Sequence, residues 1–282
     1  MAKTFTKIGA TMERPAYLPD FENPPLTEVV LGVQFSPPNE YQQIYAWQVW
    51  DLYREKYSKV QEQPPLPPTF ETFGIPRIMQ PNIGFTNGPL HDRYWFLNER
   101  EDELIQFQQD RLLHNWRKAG DSSNDYPRFE KMIKNFEDEL LKLEEYFHRV
   151  SQQNLNINQC ELTYVNSIPL KQGQTEEGSK PENWVELLSV NKLQFEHFVS
   201  QYTKIIKAND QPVARLVCDC GTGFDQKRNP IIILNFTVKG PLPNNNGTIS
   251  AAVKFLRDGR DTIVLSFDEI TTEFAHKQWG KK

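Results

Sequence analysis

Cysteine is scarce. Cys160, Cys218 and Cys220 are the only three, an odd number and too few for a disulfide scaffold. Long apolar runs are missing too. No window approaches the run of about 20 apolar residues that a membrane helix needs. The first 14 residues lack the apolar stretch of a signal peptide, so a soluble, cytoplasmic protein without membrane partners is expected. Neither sign of charge dominates: 32 Lys and Arg stand against 37 Asp and Glu, for a net −5. That balance argues against a dedicated nucleic-acid coat or a polybasic membrane binder, and leaves room only for a local basic patch. Catalytic signatures are also lacking. His91, His114, His148, His197 and His276 form no H-x-x-x-H or H-E-x-x-H arrangement, and no G-x-S-x-G elbow occurs. Gly221-Thr-Gly223 lacks the further glycines and the Lys-Ser/Thr of a phosphate loop. These absences weaken the enzyme reading without ending it, because triads assemble from distant residues.

What the chain does have is apolar periodicity. With 282 residues and 38% apolar content it can bury a sizeable core. After a proline-marked lead-in, Glu28–Phe35 reads as a largely buried strand bounded by prolines. Asn39 is placed to cap a helix over 40–59, whose apolar residues recur at three- and four-residue intervals. Residues 61–92 break that order. Prolines 64, 65, 67 and 68 favour polyproline II. So long a loop is either functional or a mobile excursion. Two strands, 93–98 and 103–113, flank the acidic tip 99–102, and the second has one face wetter than the other. The clearest helix spans 127–150, its stripe running from Phe129 to Val150. A strand over 155–168 follows, then a short helix at 182–188. Residues 195–207 fit either a helix or the first arm of a hairpin with 213–220, and the hairpin is preferred. A strand at 230–238, a helix capped by Thr248 or Asn246, and a short terminal helix to Trp279 complete the chain.

Few residues carry distinctive chemistry. Cys218 and Cys220 would share one face of a strand, with Cys160 on another, but no fourth ligand at zinc spacing accompanies them. Buried core thiols are expected, with metal or redox use the alternative. Arg111, His114, Asn115, Trp116, Arg117 and Lys118 lie within a few residues, cationic donors beside an aromatic face. That chemistry suits a phosphate with a stacked base, or an acidic partner surface. The plainer account is a sheet edge with a core tryptophan and solvated charges. The acids 92, 99 and 101–103 would hold a divalent ion only if folding gathered them. Pro64–Pro68 could dock as a polyproline ligand, although the absence of a close basic flank favours a spacer. From 192 to 260 ten basic residues face five acidic ones. Strand-borne Lys204, Lys207, Arg215, Lys227 and Arg228 could line one face, although salt bridges to the acidic first half are the expected use of that excess.

Three stretches together carry a resemblance: Asn23–Phe35 (NPPLTEVVLGVQF), Glu103–Lys118 followed by Tyr126–Phe129, and the C-terminal helix leading to Phe267–Thr272 and His276–Trp279. They resemble a sporadically distributed prokaryotic family of about this length, whose members open with an NPPLxEVVLGVQF-like segment and whose biochemistry is not established. The resemblance spans nearly the whole chain and is most specific in the first 170 residues. It transfers no catalytic residue. Its patchy occurrence implies accessory cargo, such as defence or toxin–antitoxin modules.

The expected architecture is α+β, with antiparallel sheets packed on long amphipathic helices, in a pattern that allows two similar halves. The expected organisation is a lead-in at 1–25, an N-terminal half at 26–170, a linker at 171–181 and a C-terminal half at 182–282. No catalytic residue, metal ligand or cofactor is assigned. The favoured function is a non-catalytic scaffold binding another protein, with a homo-oligomer possible. A nucleic-acid or nucleotide binder using Arg111–Lys118 is the first alternative, and an unrecognised hydrolase or nuclease the second.

Overall fold

The computed structural model describes residues 14–39, 41–74, 91–119, 124–170, 176–189, 197–242 and 247–282. One antiparallel sheet of nine strands organises them. In chain order the strands are β1 (Leu26–Phe35), β2 (Lys59–Gln63), β3 (Arg93–Leu97), β4 (Glu103–Gln108), β5 (Arg111–Arg117), β6 (Ile157–Pro169), β7 (Val199–Ala208), β8 (Gln211–Phe224) and β9 (Pro230–Pro241). Across the sheet they lie in the order β2-β3-β4-β5-β1-β6-β9-β8-β7. Taken as β1–β5 and β6–β9, a division that puts β6 with the second half of the sheet and not with the expected 26–170 half, each half starts at a central strand, β1 or β6, steps out to an edge, and returns inward strand by strand. β1 and β6 pair antiparallel at the centre, Leu31 opposite Leu162 and Val33 opposite Cys160, so the sheet runs unbroken from one half into the other.

Four helices accompany it: α1 (Ala46–Asp51), α2 (Phe129–Ser151), α3 (Ile249–Ile270) and α4 (Glu273–Gln278). Each returning meander ends in α2 or α3. Both pack on the same sheet face, where strand alternation directs Val29, Leu31, Val33 and Phe35 of β1. Phe35 meets Phe147 of α2 edge-on at 5.6 Å, and Phe236 of β9 meets Phe267 of α3 at 6.2 Å. Gly259 lets α3 settle on Val238 and Leu162, since a Cβ there would already sit 3.4 Å from Val238. Cys160, Cys218 and Cys220 are buried in this layer as free thiols. No helix is long and apolar enough to cross a membrane among the described residues.

The α+β class thus holds, with two corrections. There is one sheet rather than several, and the helical layer is slighter than expected: helices are few, and α1 and α4 have six residues each. The helix expected over 40–59 shrinks to α1 because Tyr53 and Tyr57 turn inward and the chain becomes extended again at Lys59. Asn39 caps no helix; its N–H donates to Gln153. The strand expected over 103–113 is in fact two, folded back at Gln109–Asp110. Residues 199–208 are a strand, as the hairpin reading required, whereas 182–188 form 3-10 turns rather than a helix. Of the expected linker, 171–175 lie outside the described residues; Trp184 just beyond it is buried against Phe274 and Trp279.

Candidate interaction face of the sheet

Because every helix named above lies on one side, the other face of the sheet is open to whatever the chain itself lays there. Alternation splits the Arg111–Lys118 group between these two environments. His114 and Trp116 point toward the helices, Arg111, Asn115 and Arg117 toward the open face, and Lys118 follows the strand's end, exposed. They do not form one patch.

The helix-side pair is structural in its contacts. His114 is 1% exposed, with Nδ1 2.8 Å from the Glu139 carboxylate of α2. The Tyr57 hydroxyl donates to the other Glu139 oxygen at 2.8 Å, and Tyr53 donates to the Glu139 carbonyl. Burial, and then the neighbouring Glu139, raise the Tyr57 hydroxyl far above the ordinary phenol range. Trp116, 2% exposed, lies 5.1 Å from the Tyr126 ring and has no free face for a base.

The open-face residues belong to a larger constellation. Gln108 of β4, Arg111 of β5, Gln34 of β1 and Gln159 of β6 are successive register partners, so they form one straight row across four strands. Arg93 of β3 flanks the row on one side. On the other, the β9 partner of Gln159 is Pro241, and Lys239 of β9 with its β8 partner Arg215 stands two residues along the strands on the same face, in line with Glu161. Across this row runs the proline-rich segment, residues 64–73. Arg93 donates to the Pro64 carbonyl at 3.3 Å. The Gln108 amide accepts from the Leu66 N–H and donates to the Leu66 carbonyl, both at 2.9 Å. Arg111 donates to the Pro67 carbonyl at 3.0 Å. Gln34 repeats the two-way amide pairing on Thr69, at 3.1 and 2.7 Å. Gln159 accepts from the Glu71 N–H at 3.1 Å, and Arg215 donates both to the Glu71 carboxylate and to the Thr72 carbonyl.

The dimensions explain why a proline-rich chain fits. Polyproline II repeats every three residues and rises about 9.3 Å in that repeat. Two strand spacings in a sheet amount to about 9.6 Å. Leu66 and Thr69 are three residues apart, and their glutamines stand on β4 and β1, two strands apart. A polyproline chain makes no internal hydrogen bonds, and the side-chain amides supply the pairing. Coverage by the strap leaves Gln108 1% exposed and Arg111 6% exposed. Arg111 is further held by a fork onto Asp110. Toward the other end of the face, Asn115 bonds Gln106 and Glu28, and Arg117 lies 5.5 Å over the Trp95 ring.

Lys118 and Trp116 also line a cleft of about 470 Å³ beyond the end of β5, with Asn124, Tyr126, Arg128 and Glu22. Its charges are of both signs, and Arg128 is already paired to Asp20 at 2.9 Å. Among the described residues no group of three or more His, Cys, Asp or Glu could hold a metal ion. Of the acids at 99–103, Glu101 pairs with Lys59 and Glu103 with Lys56, while Glu99 accepts from the Ser58 hydroxyl and Asp102 from the Asn98 amide. No family model matches the chain, and no curated protein or solved structure matches it either.

Sequence reasoning singled out Arg111, the proline run and, among five basic residues for one strand face, Arg215, each separately, and missed Gln34, Gln108, Gln159 and Glu71 as a set. The wetter face of 103–113 was the one available signal, because Gln106 and Gln108 fall on it.

Proposed function

We propose that this protein is a non-catalytic interaction scaffold whose open sheet face receives an extended polypeptide segment of a partner protein. One observation carries the reading: a register-aligned row of amide and guanidinium side chains, contributed by successive strands, that meets the backbone of a crossing chain. Two-way amide pairing recognises any extended backbone, because it uses the N–H and C=O that nearly every residue carries. A polypeptide is preferred to a nucleic acid because Arg111, the central cation of the row, keeps its own counter-ion in Asp110 of the β4–β5 turn whether or not the strap is seated, and its row neighbours are neutral amides. Nucleic-acid affinity rests on cations free to meet phosphates.

The test replaces residues 64–73 with a Gly-Ser linker of equal length and titrates the folded variant with a fluorescent peptide of residues 63–74. Saturable binding that is lost on adding Gln34→Ala and Gln108→Ala is the expected result. A folded variant that binds no such peptide overturns the reading.

A further inference from the structure

Building on that reading, we infer that the strap is a tethered stand-in for the true ligand, and that the partner segment is proline-rich and carries an acidic residue that seats between Arg215 and Lys239. The acid is the more telling half. Arg215 and Lys239 are directly opposed across β8 and β9 on the open face. Two like charges in that relation repel, and Arg215 is only 8% exposed. Between them lies the carboxylate of Glu71, one oxygen on Arg215 and the other 4.0 Å from the Lys239 ammonium. Glu71 is 7% exposed, whereas residues 67–70 and 72 are all exposed. Any chain that takes the strap's place without an acid there leaves the Arg215 guanidinium without its carboxylate, because the sheet's own acid beside the pair, Glu161 of β6, stands across from Lys239 and one strand further from Arg215.

The preference for proline follows from the same row. Its amides pair Leu66 and Thr69, one polyproline repeat apart, and the residues flanking Leu66 on both sides are prolines. A segment already stiffened in that conformation loses less freedom on docking than an ordinary chain. The strap is also suited to leave. It is held mainly by side chains reaching its backbone; Phe70 is 60% exposed, and Leu66 and Phe73 are only half-buried, Phe73 beneath the Arg215 guanidinium at 5.8 Å. A tethered competitor acts at an effective concentration in the millimolar range, so the intact protein binds a free peptide weakly until the strap's anchor is loosened.

Fluorescence anisotropy on three full-length proteins tests this: the unaltered chain, Glu71→Gln, and Glu71→Gln with Arg215→Met. Each is titrated with the 63–74 peptide carrying either Glu or Gln at its acid position. Melting curves confirm that the variants fold. The expectation is that Glu71→Gln binds the Glu peptide roughly tenfold or more tightly than the unaltered chain does, and prefers it to the Gln peptide by a similar factor. Arg215→Met should remove that preference. Equal binding of both peptides overturns the acid requirement while leaving the interaction face standing. No binding to Glu71→Gln, together with no binding to the linker-replaced protein, overturns both. If Glu71→Gln fails to fold, amide exchange in 64–73 of the unaltered protein gives the answer. Exchange that the Glu peptide accelerates and the Gln peptide does not supports displacement; exchange indifferent to both refutes it.

Discussion

Glu139 shows how a buried polar side chain is made tolerable: both carboxylate oxygens are met, by His114 and by Tyr57, and the His114 ring lies 6.2 Å from that of Phe136. Burial raises the proton affinity of several neighbours in the same layer. The hydroxyls of Tyr53 and Tyr57 are held far above the phenol range, mainly by burial. Cys218 is pushed up to about 12 and Cys220 to about 11 from an ordinary 9.0, again by burial. The folded protein keeps these protons at a pH where the unfolded chain has released them. Their contribution to stability is therefore complete below about pH 9, and is lost as pH rises through the raised values. Urea midpoints should hold between pH 7 and 9 and then fall steadily to pH 11, with Tyr57→Phe giving a shallower fall above pH 10. Midpoints that stay level to pH 11 would contradict this account of the layer.

Among elements, the β7–β8 hairpin turns through Asn209 and Asp210, both left-handed at φ 49° and 61°. Two such residues between the paired Ala208 and Gln211 make the mirror-image turn whose twist suits a hairpin. Aspartate tolerates that region less well than glycine does. Asp210→Gly should stabilise by roughly 0.5 kcal/mol after the added freedom of the unfolded chain is subtracted. Differential scanning calorimetry should show a rise in Tm of about 1–2 °C; a fall would mean that the Asp210 side chain matters more than its backbone. This hairpin was legible in the sequence through its Asn-Asp-Gln-Pro break, as were the α2 and α3 stripes, because local pattern alone sets them. The Gln109–Asp110 turn was not, since neither residue has a positive φ and no glycine marks it. The strap's seat was hidden for another reason. Gln34, Gln108 and Gln159 fall into one row, with Arg215 on the same face, only once strand order is known, and the four are scattered over more than half of the chain.

At the scale of the molecule, the continuous pairing of β1 with β6 ties the first half to the second through nine register positions. α2 and α3 also touch over the shared core, where Arg260 of α3 reaches Glu130 of α2 at 2.7 Å. Neither half can melt without stripping a central strand of its neighbour. Chemical unfolding should accordingly follow one transition, with tryptophan fluorescence and far-ultraviolet circular dichroism superimposed. Two resolved steps would show that the halves hold themselves together separately.

The ion pair between Glu71 and Arg215 spans 144 positions of the chain, which sets a schedule during synthesis. Translation at about 5–20 residues per second makes Arg215 about 7–30 s after Glu71. Only Gln34 precedes the strap; Arg93, Gln108, Arg111 and Gln159 are added one after another during that interval, and Arg215 comes last. Every newly made molecule thus passes through a stage in which nothing fastens the far end of its own proline segment, and closure of the face waits on the ribosome.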